Sequence, residues 1–223
     1  MAIEVDTKDC TALSDTEMEE MAQISTHGGA VEYTVGLISK QAGEWVLATQ
    51  VRDNGRLMAY SFFTLERVGG TPAILIGLAS VKRHSRRSTA LRAMVSDQLR
   101  RAVLAFPDED VLVGAMMAEP AAYEAYSSLD SVVPRPGYRA SGEDRAWGRR
   151  LVKRMGPAGT YADREFRIEG EGSVPLVIDH EALDSESIPE EISELFAGLD
   201  PSRGDCLVVH GWAMAEFLEK LAP

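Results

Sequence analysis

Residues 72–101 hold the densest chemistry in the chain. A run of small and apolar residues over 73–81 breaks into a basic, polar turn over 82–89 and then into an amphipathic helix. Strand, polar turn and helix in that order present free backbone N–H groups and the positive end of a helix dipole to an anion. Seven basic residues, Lys82, Arg83, Arg86, Arg87, Arg92, Arg100 and Arg101, stand against one acid, Asp97. That gives 82–101 a charge of +6 and leaves −18 for the rest of a chain whose net charge is −12. A basic patch in an acidic protein points to a specific anion site. The plain alternative is an arginine-rich helix that keeps its charges in solvent. Aromatic residues are not interleaved with the arginines, which disfavours a nucleic-acid surface.

The elements that position this turn follow from periodicity and breakers. Residues 2–5 could form a short strand. Residues 13–25 read as a helix, with Ser14 as N-cap and Glu17 completing a capping box, and His27-Gly28-Gly29 ends it. Strand formers over 44–52 and 57–68 flank Asp53-Asn54-Gly55, a hairpin signal. After a turn at 69–72, residues 73–81 make a third neighbouring strand, apolar throughout and so buried on both faces. Over 88–106, Leu91, Met94, Val95, Leu99, Ala102, Val103 and Phe106 recur at helical spacing. Residues 111–117 form another buried strand. A long helix between it and 73–81 makes the two strands parallel, a βαβ unit. Pro120 opens a short helix over 121–129. Beyond it lie a basic helix over 145–154, strands over 165–169 and 174–179, a helix over 190–197, a strand over 206–210 and a helix over 212–221. Trp147 and Trp212 are read as structural.

At this point the sequence resembles the GNAT (GCN5-related N-acetyltransferase) superfamily. The family's phosphate loop reads V-x-P-x-x-(R/Q)-x-x-G-x-(G/A). Here Val81 and Arg86 keep the spacing, while Arg83, Thr89 and Leu91 stand in place of Pro, Gly and Gly/Ala. The family's N-x-x-A-x-x-x-Y motif is matched at Ala122 and Tyr126, with Glu119 at the Asn position. The resemblance spans 13–137. It implies an α/β fold: a mixed, mostly antiparallel sheet with a central parallel βαβ unit and helices on both faces. It also implies acyl transfer, chiefly acetyl, from acetyl-CoA or another acyl-CoA as co-substrate to an amine. Ala79, Ser80, Val81, Arg86, Arg87, Ser88, Thr89 and Ala90 would hold the donor, whose pantetheine arm would run where 73–81 and 111–117 part. Small residues over 77–80 would let that arm approach, and a bulge there would offer a backbone N–H to the thioester carbonyl. Tyr126 would be the general acid, with a core-packed tyrosine as the bland alternative. Glu66 is the leading carboxylate for the base, and Glu119 is a base or a substrate contact, or else a helix-terminus charge. A second reading is a GNAT-like domain that has lost catalysis and binds CoA, another anion or a protein partner.

Composition sets the outer bounds. At 223 residues, 45% hydrophobic and 26% charged, the chain can bury a sizeable core. Cys10 and Cys206 form no CxxC pattern and the four histidines are scattered, so no metal site is expected. No signal-peptide run or membrane-spanning stretch is read, and the expectation is a cytoplasmic protein without a membrane partner. Residues 1–140 would form the acyl-CoA-binding core. Residues 141–223 would complete the sheet within the same domain and add an extension, which could cover the acceptor site or form an oligomer contact such as a homodimer. The acceptor would be a small-molecule or protein amine, and nucleic acid is disfavoured.

Overall fold

The computed structural model of the chain describes residues 3–25, 32–180 and 187–221. The expected helix stop at His27-Gly28-Gly29 lies outside the described residues.

Four antiparallel strands open the sheet. β1 (Ile3–Asp9) pairs with β2 (Leu47–Asp53), β2 with β3 (Arg56–Val68), and β3 with β4 (Thr71–Val81). The β2–β3 turn puts Asn54 and Gly55 at positive φ, as a tight hairpin requires. Two helices precede β2: α1 (Asp15–Ser25) and α2 (Val35–Glu44). The capping box read at Ser14 and Glu17 is formed, with the Ser14 amide donating to Glu17 at 2.9 Å and the Glu17 amide to the Ser14 hydroxyl at 3.3 Å. Helix α2 was not expected. Its N-cap, Thr34, accepts from the Leu37 amide, but its apolar residues are few and Gly36 and Gly43 lower its helix propensity.

β4 passes through α3 (Arg87–Ala105) to β5 (Val111–Met117), which pairs with β4 in parallel. The rest of the sheet comes from the C-terminal part. β6 (Asp130–Val133) is followed by α4 (Gly142–Met155), β7 (Thr160–Ala162), β8 (Arg167–Glu169), β9 (Ile178–Asp179), α5 (Glu190–Leu195), β10 (Cys206–Ala213) and α6 (Ala215–Leu218). β10 lies antiparallel to β5, β6 and β8. Residue 212, read as helical, belongs to β10, because the strand runs on along the whole of β5. The mixed, mostly antiparallel sheet with a central parallel βαβ unit, implied by the GNAT resemblance, is the architecture found.

Alternation along the strands feeds clusters on both faces. Ile74 and Ile76 face α3, while Ala73 and Leu75 face Trp147 and Leu151 of α4. Past Gly77 the parity flips, and Ala79 and Val81 now face α3 while Leu78 faces α1 and α2. The β3–β4 register shows why: Phe62 pairs with Leu78 and Phe63 with Ile76, so Gly77 is an extra residue, a β-bulge. Glycine is required there, since a Cβ would lie 2.0 Å from the Trp45 ring. Trp147 and Trp212 meet edge to face at 5.8 Å, in keeping with a structural role.

Candidate functional site

β4 and β5 pair directly over only four positions, from Ala73 with Leu112 to Ile76 with Ala115. Beyond the Gly77 bulge they part. The opening is where a donor arm was expected, and the chain fills it with its own β9. Ile178 pairs in parallel with Ala79 on one side and with Met117 on the other, and Asp179 pairs with Ser80. The Ala79 amide donates to the Val177 carbonyl at 3.1 Å. The Ser80 hydroxyl donates to the Asp179 carboxylate at 3.0 Å, and the Tyr33 hydroxyl to the Pro175 carbonyl at 3.1 Å. The strand expected over 174–179 is thus two residues long and lies at the centre of the sheet.

At the outer end of this opening is a concavity of about 280 Å³. Arg87 of α3, Tyr123 and Glu124 of the 3-10 helix Pro120–Tyr126, His180 just after β9, and Ile188 and Ile192 around α5 line it. Glu124 is its hub. It accepts from the Ser88 hydroxyl at 3.1 Å and lies 3.5 Å from the His180 Nε2. His180 is 1% exposed. Burial pushes its pKa below the usual range against the pull of Glu124, and Arg87 adds to the lowering. The His180 Nδ1 and the Arg87 Nε are both buried and have no hydrogen-bond partner among the described residues. A mostly apolar concavity with buried, unpartnered nitrogens at the start of a 19-residue helix is chemically suited to an anionic group attached to an apolar body.

The expected donor-binding residues are brought to this corner. Ala79, Ser80 and Val81 end β4 and are buried. Arg86 is the α3 N-cap and is held by Asp53 of the β2–β3 hairpin at 2.6 Å, while Arg87 and Ser88 face Glu124 and His180. Thr89 is exposed and Ala90 is buried in the α3 face.

The expected catalytic groups are dispersed. Tyr126 is 2% exposed and its hydroxyl donates to the Val209 carbonyl at 3.4 Å, while burial drives its pKa well above the usual range. Glu119 is the N-cap of the 3-10 helix, without a side-chain capping bond. Glu66 requires a correction. It pairs with Ala73, at the far end of β4 from the opening, and is held by Arg154 at 2.6 and 2.7 Å. Six residues of extended strand separate Ala73 from Ala79, about 20 Å, so Glu66 cannot serve the opening as a base.

Asp53, Glu124, Asp179 and His180 were not singled out from the sequence. An acid and a histidine closing an apolar run, as Asp179-His180 does after 174–178, was the available signal, but nothing local tells which strand such a run will join. Cys10 and Cys206 are free, buried thiols pushed up to about 12 by burial. Among the described residues no cluster suited to a metal is present, and no helix is long and apolar enough to cross a membrane.

No protein-family model matches the chain, and no curated protein matches it significantly. Solved structures similar to it include the ribosomal-protein-S18-alanine N-acetyltransferase of Escherichia coli, at 11% identity over 95% of each chain with a TM-score of 0.44. An IAA acetyltransferase of Bacillus cereus aligns at 7% identity over 95% of this chain and 100% of its own, TM-score 0.44. An acyl-CoA N-acyltransferase of Pseudomonas aeruginosa aligns at 20% identity over 51% of this chain and 80% of its own, TM-score 0.38.

Proposed function

We propose that the chain is an acyl-CoA-dependent N-acyltransferase of the GNAT kind, passing an acyl group, acetyl first among the candidates, from CoA to an amine by direct attack. One observation carries the reading: the parting of β4 and β5 holds an extended peptide, bonded to the Ala79 amide through the Val177 carbonyl at 3.1 Å. A pantetheine arm is also an extended chain of amide groups, so the same edge can hold it once β9 withdraws. The donor supplies the thioester acyl group. The Ala79 N–H would meet a donor carbonyl, and Arg87 with the first turn of α3 would face the diphosphate. Tyr126 remains the candidate to protonate the leaving thiolate, since burial keeps its phenol protonated at neutral pH. It would have to turn its hydroxyl from Val209. Water or Glu119 would take the proton released by the amine. The acceptor would be a small-molecule or protein amine.

A second reading is favoured by the depth at which β9 is buried. Val177 and Ile178 are each 1% exposed and enter clusters on opposite faces of the sheet. Exposing two such side chains costs about 1.5–3 kcal/mol each. If β9 is permanent, the chain is a GNAT-like domain without transfer activity. It would bind CoA, another anion or a protein partner at the outer concavity.

Calorimetric titration of acetyl-CoA into the wild type and into Ile178→Ala separates the two. On the transferase reading the wild type binds, and loosening β9 tightens binding by about tenfold. Binding that Ile178→Ala leaves unchanged, as a permanent β9 requires, would overturn it and leave the second; absence of binding in both proteins would overturn it as well.

A further inference from the structure

A basic concavity, separate from the β4–β5 corner, lies on the C-terminal part of the chain. It measures about 440 Å³ and is lined by Arg139, Arg145 and Arg164, with Val133, Pro134 and Phe166 among its apolar walls. The arginines come from three places: the loop after β6, the first turns of α4, and the turn between β7 and β8. They are therefore not one solvated helix face. Residues 132–167 hold nine basic and four acidic side chains in a chain of net charge −12.

Two of the four local acids, Asp144 and Asp163, are engaged elsewhere. The Asp144 carboxylate accepts from the Ser141 amide at 2.6 Å and the Tyr138 hydroxyl at 3.0 Å, closing the α4 capping box. Asp163 is bound by Arg149. Arg145 donates to the neutral Ala140 carbonyl at 3.1 Å. Neither Arg139 nor Arg164 makes an ion pair among the described residues. Converging like charges repel, and such an arrangement gains most from an anion placed between them. Guanidinium groups bind phosphate oxygens two at a time, which suits three arginines to adjacent phosphates. The floor is fixed: Phe166 is 1% exposed and stands at φ +56°, a conformation uncommon for an aromatic residue and found where the surroundings over-determine it.

We infer that the concavity between the β6–α4 loop and the β7–β8 turn binds a small molecule carrying a diphosphate group. Its volume is that of a small-ligand site, and arginines closing around a hollow fit a compact polyanion better than a strand of nucleic acid. The source of the diphosphate, inorganic or nucleotide, is decided by the probe that binds more tightly.

The test is isothermal titration of inorganic pyrophosphate and of ATP into the intact chain at low ionic strength, since salt screens exposed charges. The wild type is expected to bind at least one probe. Arg139→Ala/Arg164→Ala should weaken that binding by about thirtyfold or more, and Arg164→Glu should weaken it similarly. All these positions are exposed, so folding is not at stake, and circular dichroism of each variant checks this. Tighter binding of ATP assigns a nucleotide; equal binding assigns the diphosphate alone. Several results overturn the inference: no binding of either probe at millimolar concentration, unchanged binding in the double variant, or a loss confined to Arg87→Ala. Binding of an oligoribonucleotide without either small probe also overturns it.

Discussion

The two halves of β4 are both buried and differ in what lies beside them. Over 73–76 the strand pairs directly with β5, and its alternate side chains enter two clusters formed by α3 and α4. Over 77–81 it is bulged, its parity is reversed, and its neighbour is a two-residue strand drawn from about 100 residues further along the chain. Both halves pair with β3 on one side; on the other, the first half pairs with β5, which follows it through α3. The second half has a short insert of two residues in that place. A sheet edge that accepts a small insert can also exchange it, which is why the ligand-binding candidate lies at this end and the structural core at the other.

The sharpest way to break that contrast is to cut a side chain at each end. Leu75→Ala, at the paired end, should cost about 2–5 kcal/mol in urea unfolding and leave acetyl-CoA affinity unchanged. Ile178→Ala, equally buried, should cost about 2 kcal/mol, at the low end of that range, because β9 can yield as a unit. Amide exchange at Ala79 should rise with it. If the two variants lose equal stability and Ala79 stays protected to the global limit, β9 is as permanent as β5.

A smaller effect is expected at Tyr126. Tyr126→Phe removes a buried hydrogen bond and should cost about 1 kcal/mol. In steady-state kinetics kcat should drop about tenfold or more at constant KM, as for a lost general acid. Unchanged kcat would reduce the tyrosine to a packing role.

Acid should loosen the inserted end through His180. Its pKa is lowered in the folded chain by burial, against about 6.5 when unfolded. Below that value the unfolded or detached segment binds more protons, so the stability His180 allows at neutral pH is lost as pH falls. Exchange at Ala79, corrected for its intrinsic rate, should accelerate between about pH 7 and 5 and should not do so in His180→Gln. His210 is shifted in the same direction, also chiefly by burial, but sits in β10, so it contributes to global unfolding in both proteins. An unaltered pH profile in His180→Gln would remove His180 from the control of β9.

The smallest change is expected at Glu66. Glu66→Gln breaks an exposed ion pair with Arg154, worth at most about 1 kcal/mol, and should leave turnover as it is. A large loss of turnover would contradict the distance along β4 that separates Glu66 from the opening.

Much of the first half of the chain was readable because its signals are local. The hairpin around Asn54-Gly55, the apolar runs of β4 and β5 and the three-and-four spacing of α3 each lie within one element. Residues 111–117 form the strand expected there. The later strands were blurred, since runs of two to four residues carry too little periodicity to mark their ends. The candidate site was legible only in its α3 part. Arg86, Arg87 and Ser88 follow a strand and open a helix, a local pattern. Glu124 and His180 acquire meaning from each other, 56 residues apart, and no local rule links them.

The sequence by itself determined the hairpin around Asn54-Gly55 and the parallel βαβ unit, because periodicity and chain connectivity leave few ways to bury those apolar faces. It also determined where the helix N-terminus with its arginines would stand. Only the tertiary structure decided what fills the space where β4 and β5 part, that Glu66 lies at the far end of the strand, and that Arg139, Arg145 and Arg164 share one hollow. Those are meetings between distant segments, fixed by the joint packing of the whole sheet and not by the residues of any one stretch.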